Sequence, residues 1–216
     1  MKCFNLFVVL ALLFLSGCGI TNFPAYEAGT AISPGKVLVI AQVDLQPGVE
    51  KDKSLKGVVM INESKDDEVR LFMSPLAEVP VKKGSFFPFS PKGGSTMDLS
   101  FIHPSLILMD PGERFVRMGL YTLSASTSWR PSSSGQMRGS VEFKELHLWG
   151  DLKLEIPAGA KAVYIGTLRY SHNGVESQKV SVVDDYKKAM VELNKMNLEI
   201  TSKDVVKRLA QVVREN

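Results

Sequence analysis

The chain has 216 residues, 44% of them hydrophobic and 23% charged, with a formal net charge of +3. Those values suit one ordinary globular domain, with or without an appendage. So small a positive excess argues against a dedicated nucleic-acid binder.

Met1-Lys2 supplies a short positive start, and Phe4 to Leu15 is apolar except for Asn5. Small residues then close the segment at Leu15-Ser16-Gly17-Cys18. A charged start, an apolar run of roughly 7–15 residues and a small-residue exit describe a secretory signal, so a signal-peptide helix over 1–17 is expected. A membrane-spanning helix needs about 20 apolar residues, and here Gly19, Thr21, Asn22 and Pro24 follow at once. Leu15-Ser16-Gly17-Cys18 resembles the lipobox of bacterial lipoproteins at all four positions. The resemblance implies diacylglycerol transfer to the Cys18 thiol, cleavage before it and acylation of the new amino terminus. An ordinary signal peptide with a chance cysteine is the alternative. Cys3 would leave with the signal, and lipid would consume Cys18. No thiol would then remain for a disulfide, a zinc site or a nucleophile. One acyl chain holds only marginally, whereas two or three on one residue hold essentially permanently. In the Gram-negative pattern Asp after the lipidated cysteine favours the inner membrane. Gly19 stands there, so the resemblance implies the outer membrane.

Residues 18–35 hold Asn22, Pro24, Gly29, Ser33, Pro34 and Gly35 with little periodicity. They read as a lipidated tether, unless Phe23 and Tyr26 pack back on the domain. A β domain is expected over 36–183. Lys36 to Leu45 is rich in β-branched residues and ends at Gln46-Pro47-Gly48. Leu55 to Asn62 and Glu68 to Met73 follow, then Leu99 to Met109, broken by Pro104. In Arg114 to Leu123, strict alternation would set Phe115, Arg117, Gly119 and Tyr121 on one face. Ser140 to Trp149 and Leu152 to Ile156 are read as separate strands across a Gly150-Asp151 turn. Ala162 to Tyr170 and Gln178 to Val183 flank His172-Asn173-Gly174, a hairpin signal. Some nine short strands without intervening helices predict a mainly β protein, an antiparallel β-sandwich or barrel.

The period changes at residues 184–216. Tyr186, Ala189, Met190 and Leu193 recur at helical spacing after Asp184-Asp185, which would cap them. A second helix is expected from Lys203, with Thr201 and Asp204 imitating a capping box and Val205, Val206, Leu209, Ala210 and Val213 as its apolar face. The pair of short C-terminal α-helices would cover an edge or end of the sheet.

Chemistry is sparse. His103, His147 and His172 lie in different elements, and none has metal-ligand spacing. No G-x-S-x-G or G-x-x-x-x-G-K-[ST] is present. Asp66-Asp67-Glu68 reads as a solvated turn and Asp184-Asp185 as a helix start. Either could instead serve acid–base or calcium chemistry. No cofactor and no metal site is expected. Two loops stand out. Val79 to Met97 presents Phe86, Phe87 and Phe89 among lysines, prolines and glycines. Ala125 to Gly139 presents Trp129 beside Arg130. Aromatics in polar loops mark contact with a partner, sugar or lipid surface, or else fold back as lids on the core.

Leu154-Glu155-Ile156-Pro157-Ala158-Gly159, then Val163-Tyr164-Ile165-Gly166-Thr167-Leu168, Val180 to Asp185 and the Tyr186 helix resemble a group of uncharacterised Gram-negative lipoproteins. Asp110-Pro111-Gly112 with Tyr121-Thr122-Leu123 is similar to another element of such sandwiches. The likeness covers about a third of the chain. It implies a small β-sandwich and carries no catalytic residue. The expectation is a lipid-anchored, non-enzymatic envelope module that binds a protein or polymer through its loops. The alternatives are an enzyme acting on envelope glycans or lipids, and an accessory subunit of an export or surface-assembly machine.

Overall fold

The computed structural model describes residues 21–49, 67–74, 94–131, 137–196 and 200–214. The expected signal helix, Cys18, the strand expected at 55–62, and Phe86, Phe87 and Phe89 lie outside them. Among the described residues the protein is mainly β, with two sheets and one helix. The strands are β1 (Thr21–Asn22), β2 (Val37–Gln46), β3 (Glu68–Ser74), β4 (Ser95–Ser100), β5 (Ser105–Met109), β6 (Gly112–Pro131), β7 (Met137–Ile156), β8 (Ala162–His172), β9 (Ser177–Val183), β10 (Val205–Lys207) and β11 (Gln211–Arg214). Helix α1 covers Tyr186–Lys195. One sheet has the order β1-β4-β3-β6-β7-β11, the other β10-β8-β2-β5, with β9 also on β8.

The central strands β2 and β8 of the second sheet are buried on both faces over most of their length, which explains their near-continuous apolar runs. Along β2, Val37, Val39, Ala41, Val43 and Leu45 point into a core shared with Val69, Leu71, Leu99 and Leu148 of the first sheet. Leu38 and Ile40 face the other way, onto Ala189, Met190 and Leu193 of α1. Each of the larger side chains among them contributes about 1.5–3 kcal/mol when removed from water. In β8, Tyr164 joins the helix-side cluster and Val163 the shared core. Its hydroxyl accepts a hydrogen bond from the Asp185 amide at the helix start, 2.9 Å away.

The strands differ from the expected ones at several points. The sheets are mixed, since β8 runs parallel to β2 and to β10, and β1 parallel to β4. A parallel pair needs only a return to the same end. Here the strands of the other sheet supply that return in place of a crossover helix. The strand expected over Leu99 to Met109 is two, and they belong to different sheets. Ser100 turns the corner, with its Oγ accepting from the amides of Ile102 and His103 and donating to Asp67. Gly150 does not end a strand. With φ of 144° it sits in a bulge, where it and Asp151 stand between the Trp149–Met118 and Leu152–Val116 pairs. Arg117 is likewise extra against β3, whose Phe72 and Met73 pair with Met118 and Val116. The bulge breaks the strict alternation expected for β6. Val116 and Tyr121 enter the shared core, whereas Phe115 lies outside it.

The expected second C-terminal helix is absent, because Val205–Lys207 and Gln211–Arg214 are strands. Its imitation capping box exists as hydrogen bonds, since Thr201 donates from its amide and its hydroxyl to Asp204. They close a turn instead. The segment then completes both sheets, with β10 on β8 and β11 on β7. Between those strands, the amides of Arg208 and Ala210 donate to the carbonyls of Tyr164 and Ile165. Two β-branched valines beside an open sheet edge gain more from ladder bonds than from a short helix. Covering the edge, the role expected of the helix pair, is performed by these strands. The N-terminal segment does the same on the other side. Beyond β1, Phe23 donates to Thr96 and Tyr26 to Leu106, which ties both sheets together and realises the packed-back alternative for those two aromatics.

Candidate functional site

The histidines stay apart. His103 Nε2 lies 3.8 Å from Asp67 Oδ2, on the corner that Ser100 organises. Ser100 donates to Asp67 and is fully buried, so this Ser-Asp-His grouping holds a turn and offers no exposed nucleophile. His147 stacks on Trp149, with ring centroids 5.9 Å apart. His172 bonds through Nε2 to the Pro47 carbonyl at 2.7 Å. Among the described residues no three His, Cys, Asp or Glu side chains gather to hold a metal ion.

The acidic groups are spoken for locally. Asp184 pairs with Lys207 at 2.8 Å and accepts from the Tyr186 amide. The Lys207 bond, first among these, holds its carboxyl below the usual range. Asp204 is lowered to about 2, first by the Thr201 amide, then by the Thr201 hydroxyl and Lys161. Both act as ties on the C-terminal segment. Arg117 and Asp151 meet at 3.0 Å inside the bulge, with Arg117 only 4% exposed. The guanidinium also sits 5.2 Å from the Phe115 ring centroid. This pair fixes the bend of β6 and β7.

The largest structural surprise lies beyond that bend. Ala125 to Gly139 was expected as a loop. Only 132–136 separate β6 from β7, and both strands are 20 residues long. β3 pairs with β6 as far as Leu120. From Tyr121 to Pro131, β6 pairs among the described residues only with β7, ending at Pro131–Met137. Those eleven residues make a two-stranded ribbon of roughly 35 Å at about 3.3 Å each. Such a ribbon is marginal alone and is steadied here by continuity with the six-stranded sheet.

The candidate residues Trp129 and Arg130 fall near the tip of this arm. Their register partners are Gly139 and Arg138. Arg138 was not singled out in the sequence, although it stands as far after Ser134 as Arg130 stands before it. A hairpin symmetric about Ser134 pairs the two arginines. Phe86, Phe87 and Phe89 lie outside the described residues. Of the Val79 to Met97 loop, Ser95, Thr96 and Met97 are in β4, and Met97 is fully buried.

Comparison with protein-family models, curated proteins and solved structures found no match to this chain.

Proposed function

We propose that this protein is a lipid-anchored, non-enzymatic envelope module, a β-sandwich that binds its partner through the β6–β7 arm. The lipobox resemblance around Cys18 supports the anchor, and Gly19 supports the outer membrane as its address. The core shared between the sheets supports the sandwich.

The observation that carries the binding reading is the direction of the arm. Thr21 pairs with Ser95, Ser95 with Met73, and Met73 with Val116. β1, β4 and β6 run the same way, so the chain enters its sheet at the end opposite to the arm tip. Cys18 is three residues before Thr21, a reach of about 10 Å at most. Pro131 is fifteen residues beyond Val116, or about 50 Å along the strand. An anchor at one end and a ribbon with Trp129 and Arg130 at the other suit a module that reaches away from its own membrane.

Photo-crosslinking in intact envelopes tests this, with the photoreactive group at Ser128 in the arm or at Lys187 on α1. A defined adduct from the arm position, lost when Cys18→Ala blocks anchoring, is the expected result. Adducts from Lys187 alone, or from neither position, overturn it.

A further inference from the structure

We infer that the arm is the contact between copies of this chain, with the outer edge of β6 in one copy pairing with the outer edge of β7 in the next. This rests on the proposed anchor and on the reading of the arm as the binding element. The motivating observation is a contrast between sheet edges. Around the body of the molecule they are tied. Beside β5, the Tyr26 amide donates to Leu106 and the Leu108 amide to Pro24. On the other side β10 lies on β8 and β11 on β7, and the His147 amide donates to the Val175 carbonyl. In the arm, Ser124 to Pro131 of β6 and Met137 to Lys144 of β7 pair, among the described residues, only with each other. Each strand of such a ladder turns the N–H and C=O groups of alternate residues to its far side. Edges of this kind are usually blunted by brevity, bulges, proline or lysine. Here the ladder runs without a break from Ser124–Lys144 to Pro131–Met137, with its one proline and its one lysine at opposite ends.

Strand direction names the occupant. Lipid anchors set every copy the same way up on its membrane, so neighbouring arms point the same way. β6 of one copy is then antiparallel to β7 of its neighbour, as it already is to its own β7. Side-by-side arms therefore extend one antiparallel ladder, with about eight further hydrogen bonds at each junction. A second copy brings the matching edge in the matching direction, whereas a foreign protein would have to expose a strand of its own. Confinement to one surface raises the local concentration of copies. The pairing is head-to-tail, so each added copy leaves a β6 edge and a β7 edge open until a ring closes.

The test co-expresses two single-site variants and oxidises the membranes. Ser124→Cys, Ser126→Cys or Ser128→Cys marks β6, and Ser140→Cys marks β7. The register sets all four positions on one face of the ribbon, and three β6 positions allow for the unknown offset between copies. A disulfide needs Cα atoms within about 7 Å, so it joins neighbouring strands only. One β6 variant should link to the β7 variant, and each expressed alone should stay unlinked. The wild-type chain, oxidised in parallel, accounts for Cys3 and Cys18. In neutral detergent the wild type should have the mass of three or more copies. Replacing 124–144 with Asn-Gly, a tight hairpin turn, should return it to a monomer with its Tm unchanged. A monomeric wild type, a closed dimer, no mixed link, equal links within one variant, or an oligomer that survives loss of the arm overturns the inference. If no copies link while the arm still crosslinks another protein in envelopes, the second copy fails as occupant and the proposed function stands. If the arm gives no adduct at all, both fail.

Discussion

Replacing Gly150 with alanine should test how the two sheets are joined. At φ of 144° an L side chain is strained, which costs about 1–3 kcal/mol. The added Cβ would stand 2.5 Å from Val180 Cγ1 and 3.0 Å from Val180 Cβ. Val180 is 2% exposed and held in register opposite Tyr170, so it has little room to retreat. Overpacking of this kind adds about 1–3 kcal/mol. Gly150→Ala is therefore expected to cost about 3–4 kcal/mol, or roughly 10 °C in Tm for a domain of this size. Val180→Ala alone removes two buried carbons and should cost about 2 kcal/mol. In the double variant the 2.5 Å clash with Cγ1 is gone, and what remains is backbone strain and the tight 3.0 Å approach to the Cβ kept at position 180. The combined loss should fall short of the sum of the singles by about 1–2 kcal/mol. Urea unfolding of all four proteins measures this. Additivity within about 0.5 kcal/mol would refute the close approach of β9 to β7 at this point.

Other expectations concern buried and titrating groups. Arg117→Met should destabilise by about 3 kcal/mol by leaving the largely buried Asp151 without its guanidinium, and adding Asp151→Asn should recover part of the loss in chemical denaturation. Tyr170 is fully buried, and its hydroxyl has no hydrogen-bond partner among the described residues. Tyr170→Phe should thus leave Tm unchanged or raise it, and a loss above about 1 kcal/mol would reveal a partner. Burial also pushes the Tyr170 phenol well above the ordinary tyrosine value. The folded state then holds the proton that the unfolded state releases, so stability is full below about pH 10 and falls above it by up to about 1.4 kcal/mol per pH unit. Tyr170→Phe should flatten that alkaline decline. Asp204 behaves oppositely, because its carboxyl is lowered in the folded state to about 2, below the ordinary aspartate value. Asp204→Asn should lower Tm at neutral pH, and its gap to wild type should close as pH falls from about 4 to 2. A gap independent of pH would mean that the Thr201 turn does not depend on the carboxylate.

Where a local pattern reflects a single physical cause, the sequence reading held. Ala189, Met190 and Leu193 recur at helical spacing because one face of α1 packs on Leu38, Ile40 and Tyr164. His172-Asn173-Gly174 turns the chain because Gly174 takes φ of 89° and Asn173 Oδ1 accepts from the amides of Val175 and Glu176. Trp129 and Arg130 are legible in the sequence as an aromatic and a cation in polar surroundings, whereas their place on an extended ribbon and the pairing with Arg138 depend on register. Register is set by which distant strand lies alongside.

The sequence by itself determined the strand-rich character of the chain, its apolar β2 and β8 and the helix at Tyr186, though not the strand state of the segment after it. The tertiary structure alone decided the bulges at Arg117 and Gly150, the sheet change between Ser100 and Ser105, the parallel pairing of β2 with β8, and the strand state of Val205–Lys207. Alternation and capping are properties of neighbours along the chain, legible within a few residues. Ladder partners and open edges lie many residues away. An identical run of valines becomes helix or strand according to whether an unpaired edge stands beside it.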